Sequence, residues 1–290
     1  MKYTINRSVG RSGANIDKDV RLIQSLLCVY LRNNSQTTIA INGNCDNKTI
    51  ETITSFQKNF VKLTKPDGLV APNGKTFTAL VSCLKSVLGA PQSLFYPKEG
   101  KFTFTVEGHE GGIFHSRILH VPNEKSGLTL GRGFDMKKRE TTEIFSYLIK
   151  SGISVTHAKM ISKASKLKGE SARMFVINND LLDFQITPRQ QKNLFIVTYE
   201  YIESEVLRLC SKKDVVNTYG ETDWDALDSK IKTILIDLRF RGDYHPESRK
   251  FIQKSIIDND VDAFKQIIND RSKWAKVPQN RFDKRANYLK

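Results

Sequence analysis

Acidic residues, long apolar runs and paired cysteines are what this chain of 290 residues is short of. No apolar stretch approaches the roughly 20 residues that cross a bilayer as a helix, so no membrane insertion is expected. The opening MKYTINRSVGRSGANIDKD is charged and lacks the apolar core of a Sec signal peptide. The expectation is a protein made in the cytoplasm that reaches any outside target by another route. Cys28, Cys45, Cys83 and Cys210 form no CxxC pair and no Cys/His cluster at zinc spacing. Three of these cysteines fall within the first 92 residues, which leaves one disulfide open there. The apolar neighbours of Cys28 and Cys83 favour buried free thiols instead. His109, His115 and His120 lie six and five residues apart, not at the i, i+4 spacing of a helical metal pair. No metal and no organic cofactor is expected.

Against those shortages stands an excess of positive charge. Lys and Arg number 46 and Asp and Glu 31, a net charge of +15. Residues 1–92 hold 12 of the basic and 5 of the acidic side chains, so the excess is spread along the chain rather than confined to a tail. Distributed positive charge favours an anionic polymer as partner. Nucleic acid, an acidic membrane surface and the bacterial cell wall all qualify, and charge alone does not choose among them. A hydrophobic content of 39% and a charged content of 27% are those of a soluble globular protein.

Two blocks follow from the patterning. In the first, Val20, Ile23, Leu27 and Tyr30 share one face of a helix predicted over 16–32, and Ile50, Ile53, Phe56 and Phe60 share a face over 47–61. Pro-Asp-Gly at 66–68 and Pro-Asn-Gly at 72–74 mark tight turns before a third helix. The pieces DVRLIQSLL, INGNCDNKT, SFQ and KPDGLV occur in the order D-V-x-x-x-Q-x-L-L, N-G-x-x-x-x-x-T, F-Q, P-D-G-x-V. In this order they resemble the peptidoglycan-binding domain of cell-wall hydrolases, with Cys45–Asp46 standing where a Gly-Pro-like pair is common. Peptidoglycan as a partner is what that resemblance implies. The block is assigned to 1–92 and a Pro/Gly-bearing linker to 93–101.

The second block, 102–290, reads as mainly helical. Thr187 and Pro188 start a helix, and Ile231, Ile234, Leu235 and Leu238 line the buried face of another. Gly242 ends that helix, which accounts for the Arg-Gly-Asp at 241–243 without a cell-adhesion role. Phe114, Tyr199, Tyr201, Trp224 and Trp274 are of the type that stacks on sugars, though their spacing suits a core. Only 102–136 departs from helical pattern, with strand-like alternation and glycines. Here Glu107 and Glu110 precede a hairpin, SGLTLGRGFDM, that carries Thr129 and Asp135. Two carboxyls, one to protonate a leaving oxygen and one to activate water or attack, are what glycosidic cleavage needs, and a threonine hydroxyl can orient that water.

The EG at 107–108, SGLTLGRGFD at 126–135, ITPRQQKNLF at 186–195 and SKWAKVPQNR at 272–281 together resemble phage-type lysozymes, and more closely the pesticin-like muramidases. The resemblance implies an α+β lysozyme-like fold, mainly α, in which a small three-helix wall-binding domain precedes the catalytic domain. It implies Glu107 as general acid, Asp135 as second carboxylate and Thr129 as its helper, with Arg281 holding the acid. Glu110 is the rival acid, because EGG at 110–112 fits the same pattern; Glu107 is preferred because it directly follows the strand-like FTFTV. The reaction implied is hydrolysis of the β-1,4 bond between N-acetylmuramic acid and N-acetylglucosamine, with inversion if a water sits between the carboxyls. The pesticin-like likeness points to an antibacterial effector acting in a target's periplasm, with a secretion-machine component and a cognate immunity protein as partners. A phage endolysin, a chitinase of the same superfamily and a non-catalytic wall-binding protein are the alternatives.

Overall fold

The computed structural model describes residues 3–88, 94–110 and 115–290. Among these residues the protein is mainly helical, 56% helix in 13 helices, with two small antiparallel sheets of two strands each. The chain divides into two compact units, Met1–Phe95 with Gly108–Leu194, and Tyr96–Glu107 with Phe195–Lys290. The first 92 residues share a compact unit with 108–194. The expected linker at 93–101 starts outside the described residues and ends inside a helix, at Lys101.

In the first unit, α1 (Asp17–Asn33), α2 (Asn47–Asn59) and α3 (Lys75–Val87) form a three-helix module, tied by a short ribbon of β1 (Val9–Gly10) and β2 (Leu69–Val70). The predicted α1 face is buried, but so are Leu22, Leu26, Val29 and Leu31 on its other sides. The reason is that α1 packs against α3 on one side and against α7 (Gly169–Asn178) on another. On α2 the predicted face is incomplete. Ile53 and Phe56 are buried, Ile50 is half-buried, and Phe60, at the frayed end, lies exposed and stacked on Phe56.

The polar motif residues of this module all serve its own loops. Asp19 accepts from the backbone N–H groups of Asn6 and Arg7. Gln24, fully buried, donates to Asn44 O and Thr49 Oγ1 and accepts from the N–H groups of Asn42 and Gly43. Gln57 does the same for the Pro-Asp-Gly turn, donating to Asp67 Oδ1 and Leu69 O and accepting from Gly68 N–H. Asp46 in the divergent Cys45–Asp46 pair caps α2, accepting from Thr49 N–H at 2.8 Å. All four cysteines are free thiols.

Arg32 joins α1 to the segment after α7. Its guanidinium spans Asp180 and Asp183, with Nη2 donating to Asp183 Oδ1 at 2.9 Å and to Asp180 Oδ1 at 3.0 Å. The unit also holds α5 (Thr141–Lys150), α6 (Val155–Ile161) and the start of α8 (Pro188–Cys210). A reciprocal cap opens α8: Gln190 N–H donates to Thr187 Oγ1, and Thr187 N–H donates to Gln190 Oε1.

The second unit holds α4 (Lys101–Val106), the rest of α8, α9 (Lys213–Tyr219), α10 (Ser229–Arg241), α11 (Pro246–Ile257), α12 (Val261–Asn269) and α13 (Gln279–Tyr288). Ile231, Ile234, Leu235 and Leu238 are fully buried as expected, and Gly242 ends α10 in the left-handed conformation, φ 91°. The strand-like FTFTV is a correction, for it forms the helix α4. Thr103 and Phe104 are buried in succession, and Phe102, partly buried, packs on Tyr288 with ring centroids 4.9 Å apart. Alternation over five residues therefore reflected the two buried sides of a single helical turn and a half. Tyr199 and Trp274 are core, Trp224 is partly buried, Tyr201 is exposed, and Phe114 lies outside the described residues.

Replacing Gln24 by Leu is expected to cost about 2–3 kcal/mol in urea unfolding, since two loop N–H groups lose their acceptor. Replacing the exposed Lys58 by Ala should change stability by no more than about 0.5 kcal/mol.

Candidate functional site

The sequence-predicted residues fall into two clusters, one in each unit. In the second unit, Glu107 caps the C-terminal end of α4, its N–H bonded to Thr103 O. Arg281 on α13 reaches it, with Nη2 donating to Glu107 Oε1 at 2.6 Å and Nη1 to Val106 O at 3.1 Å. The same guanidinium donates to both oxygens of Asp237, at 2.6 Å and 3.1 Å. Asp237, on α10, is fully buried. Arg285, one turn after Arg281, donates its Nε to Asp237 Oδ2 at 2.7 Å and its Nη1 to Asp243 Oδ2 at 2.8 Å. Two arginines thus converge on one buried carboxylate, and one of them carries Glu107.

Burial pushes the Glu107 carboxyl above the usual carboxylate range, against the lowering pull of Arg281. Arg281 is shared with Asp237, so its charge is divided between two carboxylates. The outcome is an acid held in place by a cation and still inclined to keep its proton.

In the first unit, β3 (Thr129–Leu130) and β4 (Phe134–Asp135) form the expected hairpin, turning through Gly131 and Gly133 at φ 61° and 86°. Thr129 and Asp135 are directly opposite in register, which puts their side chains on one face. Leu128, Leu130, Phe134 and Met136 are fully buried and anchor the hairpin. The Asp135 carboxylate accepts from the N–H groups of Gly127, at 3.2 Å, and Lys137, at 2.8 Å. A Cβ at Gly127 would stand 2.3 Å from Asp135 Oδ1, so only glycine admits the carboxylate there. Thr129 is buried, and its hydroxyl donates to Gly127 O at 3.2 Å, leaving its lone pairs as what it offers.

Glu110 has a different setting from Glu107. Arg117 Nε donates to its Oε2 at 3.0 Å, Arg132 lies 3.6 Å from its Oε1, and His115 Nδ1 is 3.5 Å from Oε2. Both arginines and His115 are buried. Burial, followed by the field of Arg117, lowers the His115 pKa. Arg132, in the hairpin turn, also donates to Gly108 O at 3.2 Å and to Gln191 Oε1 at 3.3 Å. Glu110 is therefore the anion that ties the hairpin turn to the segment following Glu107.

The sequence reading missed Asp237, Arg132 and Arg117. A signal for Asp237 existed in the apolar run ILIDL at 234–238, where a lone acid interrupts a buried helix face. Charged residues are almost never fully buried unless paired. No comparable local pattern marks Arg132. Among the described residues no cluster of His, Cys, Asp and Glu is arranged to hold a metal ion, and no helix is long and apolar enough to cross a membrane.

These features define a mainly helical protein with an arginine-held acid on one unit and a Thr/Asp hairpin on the other. Residues 100–286 match a family described as Domain of unknown function (DUF8812), and the chain belongs to that family. A search of curated proteins finds no match to the chain.

Asp237→Asn is expected to lower stability by about 3 kcal/mol, because Arg281 and Arg285 lose a fully buried counter-charge. A thermal melt reads this directly. Gly127→Ala should displace the Asp135 carboxylate and abolish its two N–H bonds, read as loss of hydrogen-exchange protection at Lys137.

Proposed function

We propose that the chain is a peptidoglycan hydrolase of the lysozyme type, cutting the β-1,4 bond between N-acetylmuramic acid and N-acetylglucosamine. The observation that carries this reading is Glu107, a carboxyl lifted in pKa by burial yet fixed in orientation by Arg281. A general acid needs a raised pKa and a fixed orientation, and burial and Arg281 act in those two directions on Glu107. The lysozyme-like resemblance of the sequence supports the same assignment. Glu110 fits a different role, since its three basic neighbours leave it an anchor for the hairpin turn.

In this mechanism Glu107 protonates the leaving glycosidic oxygen as the bond stretches toward an oxocarbenium-like state. Asp135, with Thr129 beside it on the same face, takes the proton of an attacking water, and the anomeric configuration inverts. Arg281, itself held by Asp237, keeps Glu107 in place through both stages. No metal takes part. The N-terminal three-helix module is read as the wall-binding part, which raises local enzyme concentration on an insoluble polymer. The charge of +15 adds attraction to anionic wall. An interbacterial effector with a cognate immunity protein remains the preferred biological setting.

Purified murein digested with each variant and read by mass spectrometry tests the assignment. The native chain and Glu110→Gln should release products with reducing-end muramic acid, the variant more slowly. Glu107→Gln and Asp135→Asn should lower the rate by about a hundredfold or more. Intact glycan with cut peptide stems, or no products from the native chain, would overturn it.

The pH dependence has a definite sign. With the Glu107 pKa raised in the folded state, kcat/KM falls as pH rises through that value, because the acid loses its proton. Stability follows the same group: its contribution is complete below the ordinary glutamate range and is lost as pH rises through the raised value. Glu107→Gln should flatten this part of the stability profile in melts taken from pH 4 to 8.

A further inference from the structure

The second unit contains a cavity of about 920 Å³ that the mechanism above does not use. It lies among α4, α8, α10 and α13, and its size falls in the range of ligand pockets. Its apolar lining comes from Phe102, Val106, Tyr199, Ile236 and Tyr288. Tyr288 is 38% exposed, and its hydroxyl bonds Thr233 Oγ1 within the same lining.

The charges around this cavity are unusual in being of both signs and not matched to one another. Lys98, Lys101 and Lys284 line it together with Glu99 and Glu203. Among the described residues, none of these five side chains forms a salt bridge, although other lysines of the chain pair with neighbouring acids. Glu203 is half-buried and accepts a bond from the Trp224 indole. Burial, then the field of Glu99, raises its pKa, while the field of Lys232, which also lines the cavity, lowers it. Lys232 itself lies over the Trp224 ring at 5.6 Å and donates to Asp225 O.

We infer that this cavity binds a short zwitterionic peptide, its ammonium at Glu99 and Glu203 and its carboxylates at Lys98, Lys101 and Lys284. Resting on the proposed wall-hydrolase function, the ligand class is the peptide stem of peptidoglycan that carries a diamino acid. Such a stem offers a free amine and several carboxylates within one short chain. The aliphatic stretch between them would lie on the Phe102, Tyr199 and Ile236 surface. Binding the stem would select uncut, peptide-bearing glycan over bare sugar chains and give the second unit a hold on substrate independent of the sugar.

Calorimetric titration of the full chain tests this. The probe is the N-terminally acetylated tetrapeptide Ala-γ-D-Glu-diaminopimelyl-D-Ala, compared with the same peptide acetylated at its side-chain amine and with chitotetraose. The free-amine peptide should bind, and acetylating that amine should weaken it about tenfold. Glu203→Gln should weaken it similarly, and the Lys101→Glu, Lys284→Glu double variant, altering two exposed residues, by at least as much. Chitotetraose should respond to none of these changes. Absence of binding by the free-amine peptide, or equal affinity for both peptides or for the variants, overturns the inference. Release of reducing-end muramic acid by the native chain is measured separately, so failure of the hydrolase reading shows there and not in the titration.

Discussion

The buried carboxylate of Asp237 is the constraint from which the acid site follows. A lone charge inside a helix core is strongly unfavourable, so it must be met by cations with good geometry. Arg281 and Arg285, one helical turn apart on α13, meet it from the same side, and this fixes α13 on α10. With Arg281 fixed, its Nη1 reaches Val106 O at the end of α4 and its Nη2 bridges Asp237 and Glu107. Glu107 is thus positioned by a chain of contacts starting one layer deeper than itself. Burial raises the Glu107 pKa against the pull of Arg281, and the field of Asp237 adds to the rise.

The hairpin in the first unit is organised by a similar economy of means. One carboxylate, Asp135, satisfies two backbone N–H groups and, by excluding any side chain at Gly127, sets the local path of the chain. Four fully buried apolar residues hold the hairpin from behind, and Arg132 in its turn ties it to Glu110 and to Gly108 O. Glu110 and Glu107, three residues apart and alike in sequence, therefore do different work. One lies against two buried arginines; the other has its pKa raised by burial.

The N-terminal module shows how a motif can be structural in every polar position. Asp19, Gln24, Gln57 and Asp67 each spend their hydrogen bonds on the module's own loops. Any wall contact must then come from side chains outside the motif, and the spread of basic residues over the surface is the available source. Arg32, reaching Asp180 and Asp183, makes this module part of a larger unit rather than a bead on a string.

What the residue pattern alone determined was considerable. Helix-period burial located α1, α2, α8 and α10, the Thr187–Pro188 pair marked a helix start, and the glycines of SGLTLGRGFDM marked a tight hairpin placing Thr129 opposite Asp135. These are local matters, settled by periodicity, caps and turn chemistry over a few residues. The FTFTV segment was misread because five alternating residues do not distinguish a strand from a helix buried on two sides. Tertiary structure decided the rest. It showed that burial raises the Glu107 pKa against the pull of Arg281, and that Glu110 lies among Arg117, Arg132 and His115. It also revealed Asp237 beneath Arg281, and the cavity lined by unmatched lysines and glutamates. Those properties arise from residues 40 to 190 positions apart meeting in space, and burial and electrostatic fields are sums over such neighbours, which no local pattern records.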